Sequence, residues 1–199
     1  MADMADDEPN LTLLPPVRRQ EFFLDLVRRR PWESHDDVRD RWNAWRLDPE
    51  NEGATITFAD VDFSAEDNER VSFEGFIFDR RMDFSGASFG AQSSFRQSRF
   101  CDNVDFSDAI FNFSSIFSGA EFAGLADFSG VIFDGQADFT GSKFSARALF
   151  WGVTFLGGAT FSDAVFESRA DFFGSTFRSA IDFTKVHFDA EADFSGRSL

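Results

Sequence analysis

The stretch ADFSGVIFDGQADFTGSKF, residues 126 to 144, sets its phenylalanines at Phe128, Phe133, Phe139 and Phe144, five, six and five residues apart. From Phe73 to Phe194 the alternation runs on without a missed step, a period of eleven split five plus six. That period is neither the 3.6 of an amphipathic helix nor the 2.0 of a half-buried strand, and both are excluded as the main element. A short repeat held this long is the mark of a stacked solenoid, in which each turn of chain buries its large side chains against the next.

Composition supports a buried role for these rings. The chain has 30 phenylalanines and no tyrosine among 199 residues. A phenol buried without a partner costs roughly 1 to 3 kcal/mol, so a core with no internal acceptors selects Phe over Tyr. Two places before each repeat Phe stands only Ala, Val, Ser, Ile, Met or Phe, as Ala87 before Phe89 and Val104 before Phe106. These positions and the Phe itself face inward as a small and large pair. The residues at one before, one after and two after are mostly polar and face outward. Glycines two places after the ring, at Gly86, Gly130, Gly135 and Gly141, suit corners.

The motifs ADFSG at 126–130 and 192–196, ADFTG at 137–141 and AVFES at 164–168 resemble the pentapeptide-repeat family, over about 140 residues. The resemblance implies an all-β solenoid, a right-handed quadrilateral β-helix with four units per coil. Alternating units of five and six set this chain beside a Phe-rich subgroup, with a coil of 22 residues instead of 20. Residues 22 apart then stack at about 4.8 Å, and some six coils make a rod about 30 Å long. Phe58 and Phe63 are out of phase with the series that begins at Phe73, and the acidic stretch SAEDNER at 64–70 is expected to absorb the slip in a loop.

Upstream, residues 1–13 read as a disordered acidic tail and 14–53 as a short helical cap for the repeat domain at 54–199. Pro15 and Pro16 suit a helix start, followed by an apolar face of Phe22, Phe23, Leu26 and Val27 and a stop at Pro31. Ser34 and Asp37 have capping-box spacing ahead of a second helix carrying Val38, Trp42 and Trp45 on one face. Trp32 with Trp42 and Trp45 is expected on the first coil. The arginines at 18, 19 and 28–30 read as solvated charge, since Glu21 and Asp25 lie among them.

With the core accounted for by stability, function belongs to the outer faces. Ahead of the Phe84 column the outward residues are Asp83, Asp105, Asp127, Leu149, Asp171 and Asp193, an acidic ladder. Two carboxylates 4.8 Å apart repel by about 0.9 kcal/mol even in water, a cost that recognition of a basic partner would offset. The competing explanation is local, because Asp is short and bonds readily to turn amides. Trp151 and Phe173, 22 apart, are expected to stack as an exposed pair on this face and to anchor an interface. Ahead of the Phe89 column the ladder is uncharged: Ser88, Ile110, Ile132, Thr154 and Thr176. Ahead of the Phe78 column lie Ile77, Arg99, Glu121, Lys143, Val165 and His187, where opposite charges on adjacent coils can pair.

Other chemistry has no foothold in the sequence. His35, His187 and Cys101 are isolated, no cluster has metal-ligand spacing, and no glycine-rich phosphate loop leads into a helix. The expectation is a cytoplasmic protein that is not an enzyme and has no cofactor. A formal charge of −16 argues against direct contact with nucleic acid or an anionic membrane. The expected partner is a protein. The resemblance adds DNA gyrase as a named alternative, because some pentapeptide-repeat proteins are DNA mimics that inhibit type II topoisomerases or protect them from quinolones. Homodimerisation through the C-terminal coil is a further expectation, because an uncovered coil exposes rings and strand edges.

Overall fold

The computed structural model describes residues 16–27, 34–48, 56–63 and 71–196. The acidic tail, the arginines at 28–30, Trp32 and the loop at 64–70 therefore lie outside the described residues. The chain divides into two compact units, Met1–Ile56 and Thr57–Leu199.

The first unit is helical. Helix α1 spans Pro16–Val27 and α2 spans His35–Leu47. Ser34 caps α2 as its spacing predicts: its hydroxyl accepts from the Asp37 amide at 3.1 Å, and the Asp37 carboxylate accepts from the Ser34 amide at 2.7 Å. Val38, Trp42 and Trp45 are buried on one face. Phe23 meets Trp45 edge to face at 5.2 Å, and Trp42 lies 5.7 Å from Trp45.

The second unit is a parallel β-solenoid of about six turns. Two-residue strands assemble into four parallel sheets of seven, six, six and five strands, so the coil has four sides. The chain visits them in the order of Phe84, Phe89, Phe95 and Phe100, and each side takes its name from that ring. Register is set at 22 residues, with Val104 beside Ala126 and Asp105 beside Asp127. Phe58 stacks on Phe84 and Phe63 on Phe89, each 26 residues away, so these out-of-phase rings join the same columns through one longer coil.

The five-and-six alternation is a matter of corners. On the Phe84 and Phe95 sides the unit has five residues and closes in a β-turn, as where the Ala87 amide donates to the Phe84 carbonyl at 3.1 Å. Its third residue is left-handed, with φ of 65° at Gly86 and 71° at Gly130. Asp108 and Lys185 take the same conformation at 58° and 56°. On the Phe89 and Phe100 sides the sixth residue makes a wider corner. Gly135 lies at such a corner, and its reason differs from the one the sequence suggests. Its φ is not left-handed, but a Cβ there would come close upon the Phe113 carbonyl carbon of the coil before it.

Inside, rings 22 residues apart lie face to face at 4.5 to 5.2 Å, tilted by 1° to 17°. Rings from the opposed Phe84 and Phe95 sides interlock edge to face at 5.3 to 5.8 Å, at 70° for Phe73 with Phe84 and at 84° to 89° from Phe84–Phe95 onward. Every repeat Phe from Phe73 to Phe172 is at most 1% exposed, leaving no route to water for a phenol. In the last turn Phe177, Phe183, Phe188 and Phe194 are only half-buried.

The packed interior sets two expectations for stability. Phe128→Tyr, which adds only an oxygen, is expected to cost about 1 to 3 kcal/mol in urea denaturation, against about 3 to 5 for Phe128→Ala. Ser93 and Ser115 have buried hydroxyls without a hydrogen-bond partner among the described residues, in the column that Ala137 and Ala159 continue. Ser115→Ala is therefore expected to leave stability unchanged or raise it by up to about 1 kcal/mol in the same assay.

Candidate functional site

The Phe84 side shows first what its aspartates do for the fold. Asp83, Asp105, Asp127 and Asp193 each accept the amide of the serine two residues on, at 2.8 to 3.0 Å. Asp171 accepts the Phe173 amide in the same way, at 3.2 Å. These are Asx-type turns that tie down the residue opening the corner. The local explanation of the acidic ladder is thus part of this geometry, and Asp138 and Asp182 repeat it on the Phe95 side.

Beyond that shared bond the column splits in two. Asp83, Asp105 and Asp127 are half-exposed, and no ion pair to them is found among the described residues. Past the break at Leu149, Arg147 reaches Asp171 at 3.2 Å, and Arg169 lies 3.8 Å from Asp171 and 3.5 Å from Asp193. Charge is therefore left open in the first three coils and largely cancelled in the last two. The arginines stand three residues before Phe150 and Phe172, in the extra position of the six-residue unit. Sequence reasoning missed them by reading only the position next to the ring.

The same break carries the exposed aromatics. In the position after the ring, Ser85, Ser107 and Ser129 give way to Trp151 and Phe173 before Ser195 returns. Trp151 is 57% exposed and Phe173 43%. Their backbones are neighbours, the Gly152 amide donating to the Phe173 carbonyl at 2.9 Å. Both side chains line a shallow groove with Ser129, Leu149, Asp171 and Asp193. The rings share this groove without stacking on each other. Phe173 instead leans over Gly196, where a Cβ would come within 3.2 Å of the ring. The sequence-derived site residues thus occupy one side of the solenoid, and Arg147 and Leu149 complete the groove.

On the Phe100 side charges of opposite sign pair from coil to coil. Arg99 meets Glu121 at 2.9 Å, as the register predicts, whereas Lys143 passes over Glu121 and reaches Glu167 at 2.9 Å. That bond, with one from Ser145, holds the Glu167 carboxyl below its ordinary range. Among the described residues no group of three or more His, Cys, Asp or Glu is placed to hold a metal ion. None of the described helices is long and apolar enough to cross a membrane.

A family model described as Pentapeptide repeats (9 copies) matches residues 117–165 and 150–196. No curated protein and no solved structure matches the chain.

The turn bonds carry a pH prediction. The Asp193 carboxyl is lowered from 3.8 chiefly by the Ser195 hydroxyl and amide, and Asp182 chiefly by Thr184 and Ser162. A carboxyl whose folded value is depressed adds stability above its unfolded value, and that stability is lost as pH falls through the folded one. Asp193→Asn is therefore expected to melt below the parent protein at pH 6, with the difference vanishing as the pH falls well below 3.8. Thermal melts across pH 2.5 to 6 read it directly.

Proposed function

From the match of residues 117–196 to a pentapeptide-repeat family model, we propose that this solenoid is a non-enzymatic protein-interaction module, and that its docking face is the Phe84 side. The observation that carries the reading is the exposed groove of Leu149, Trp151 and Phe173, set where the aspartate column is interrupted. Exposed aromatics flanked by arginine are the composition of interface hot spots, whereas the serines of the other coils offer a partner little. The coil-to-coil ladder holds these side chains at set spacings, so little order has to be acquired on binding. The open carboxylates of Asp83, Asp105 and Asp127 favour a partner that is basic beside its apolar anchor.

The second reading, a DNA-mimicking regulator of a type II topoisomerase such as DNA gyrase, draws on the same three aspartates. Mimicry calls for a long unbroken line of open charge, and here Leu149 ends the line while Arg147 and Arg169 cancel the charge of Asp171 and Asp193. It has the weaker support.

A gyrase supercoiling titration, with and without a quinolone, separates the two. The interaction-module reading expects no effect at large excess. It also expects Trp151→Ser with Phe173→Ser to abolish photo-crosslinking from a probe at Ser129, while Asp83, Asp105 and Asp127 changed to Asn weaken it about tenfold or less. Inhibition or protection that disappears with the three Asn changes would establish the mimic instead.

A further inference from the structure

We propose that the Phe89 side is an interface between two copies of this chain, packed antiparallel about the coil that carries Leu156. This side is distinct from the aspartate face. Over its five stranded coils, from Ala87 to Ala180, it holds one carboxylate, Asp134, and one cation, Arg178, and the coil before them adds Asp62, bridged to Ser88. Its outward ladder pairs Ile110 with Ile132 and then Ile132 with Thr154 and Thr154 with Thr176. Ile132 and Leu156, on the coils that this contact covers, are 37% and 43% exposed. A chain of charge −16 resists approach by its own copy on its acidic faces, and this side removes that obstacle.

The charges also choose the occupant. Asp134, Leu156 and Arg178 fill equivalent positions on consecutive coils, their amides donating to the carbonyls of Phe111, Phe133 and Phe155. Asp134 and Arg178 are thus two coils, about 10 Å, apart, with Leu156 on the coil between them. Both are exposed, and no ion pair to either is found among the described residues. A two-fold axis lying along the Leu156 strand reverses the order of coils and keeps each column facing its own copy. Leu156 then meets Leu156, Thr154 meets Thr154, and Asp134 faces Arg178 of the second copy twice over. A parallel arrangement would set Asp134 coil for coil beside its own copy and gain neither pair. Three coils from each chain make a small contact, so the dimer is weak, with a Kd on the order of tens of micromolar.

Sedimentation velocity of the full chain from about 1 to 500 µM at about 0.15 M salt tests this. A concentration-dependent dimer is expected. Asp134→Arg and Arg178→Asp should each weaken it about tenfold, since each sets two like-charge contacts in the interface. The double reversal should restore it. In a Cys101→Ser background, Leu156→Cys should oxidise to a covalent dimer, because a residue on the axis meets its own copy within disulfide reach, while Ser145→Cys on another side should not. Circular dichroism confirms that these surface variants fold. A monomer at every concentration would overturn the proposal, as would a dimer unmoved by both single reversals, the behaviour expected of association through the last coil.

Discussion

Everything in the solenoid depends on one distance, the rise of about 4.8 Å from coil to coil that parallel backbone hydrogen bonding imposes. Offset-stacked parallel rings take nearly the same separation between their centres, and the columns settle at 4.5 to 5.2 Å. Backbone and side chain therefore ask for the same geometry, and neither strains the other. The same agreement makes the interior unforgiving: each ring between the end coils has a ring above, a ring below and ring edges across the core.

That coincidence explains why so much was legible in the primary structure. A ring that must sit on another ring every coil has to recur at a fixed interval, so the spacing from Phe73 to Phe194 discloses period, register and inward positions together. Opposed-charge neighbours such as Arg99 and Glu121 can be named from the register alone. What stayed hidden depends on side-chain reach. Nothing in the spacing says that Lys143 prefers Glu167 on the following coil to Glu121 on the preceding one, because a four-carbon stem can span either gap. Arg147 and Arg169 were overlooked because they stand in the additional residue of a six-residue unit, which carries no ring to mark it. Trp151 and Phe173 were placed on the correct face, but whether two rings stack there turns on rotamers, and Phe173 had a bare glycine, Gly196, to lean over. The reason for Gly135 was misjudged likewise, since close approach of backbone and a left-handed turn call for the same residue.

The aspartates show how one residue type can serve the fold and the surface together. One oxygen of each closes a turn, which is why the column recurs so regularly. The other oxygen is what the surroundings make of it: open beside Ser107 and Ser129, engaged where Arg147 and Arg169 arrive. A regular column is thus evidence of turn chemistry, and its interruptions are the better guide to recognition.

The direction of the ladder bonds differs from side to side. At the strand ends, amides on the Phe84 and Phe95 sides point to the following coil, as Phe84 to Asp105 and Phe95 to Ile116, whereas on the other two they point to the preceding one, as Ile110 to Ala87 and Arg99 to Phe76, while within each strand successive amides alternate. Peptide dipoles on adjacent sides consequently oppose each other, and much of the axial moment that an α-helix of equal length accumulates is cancelled. Adding coils lengthens the structure without building a positive and a negative pole, so its growth carries little of the electrostatic polarity that marks the ends of a helix.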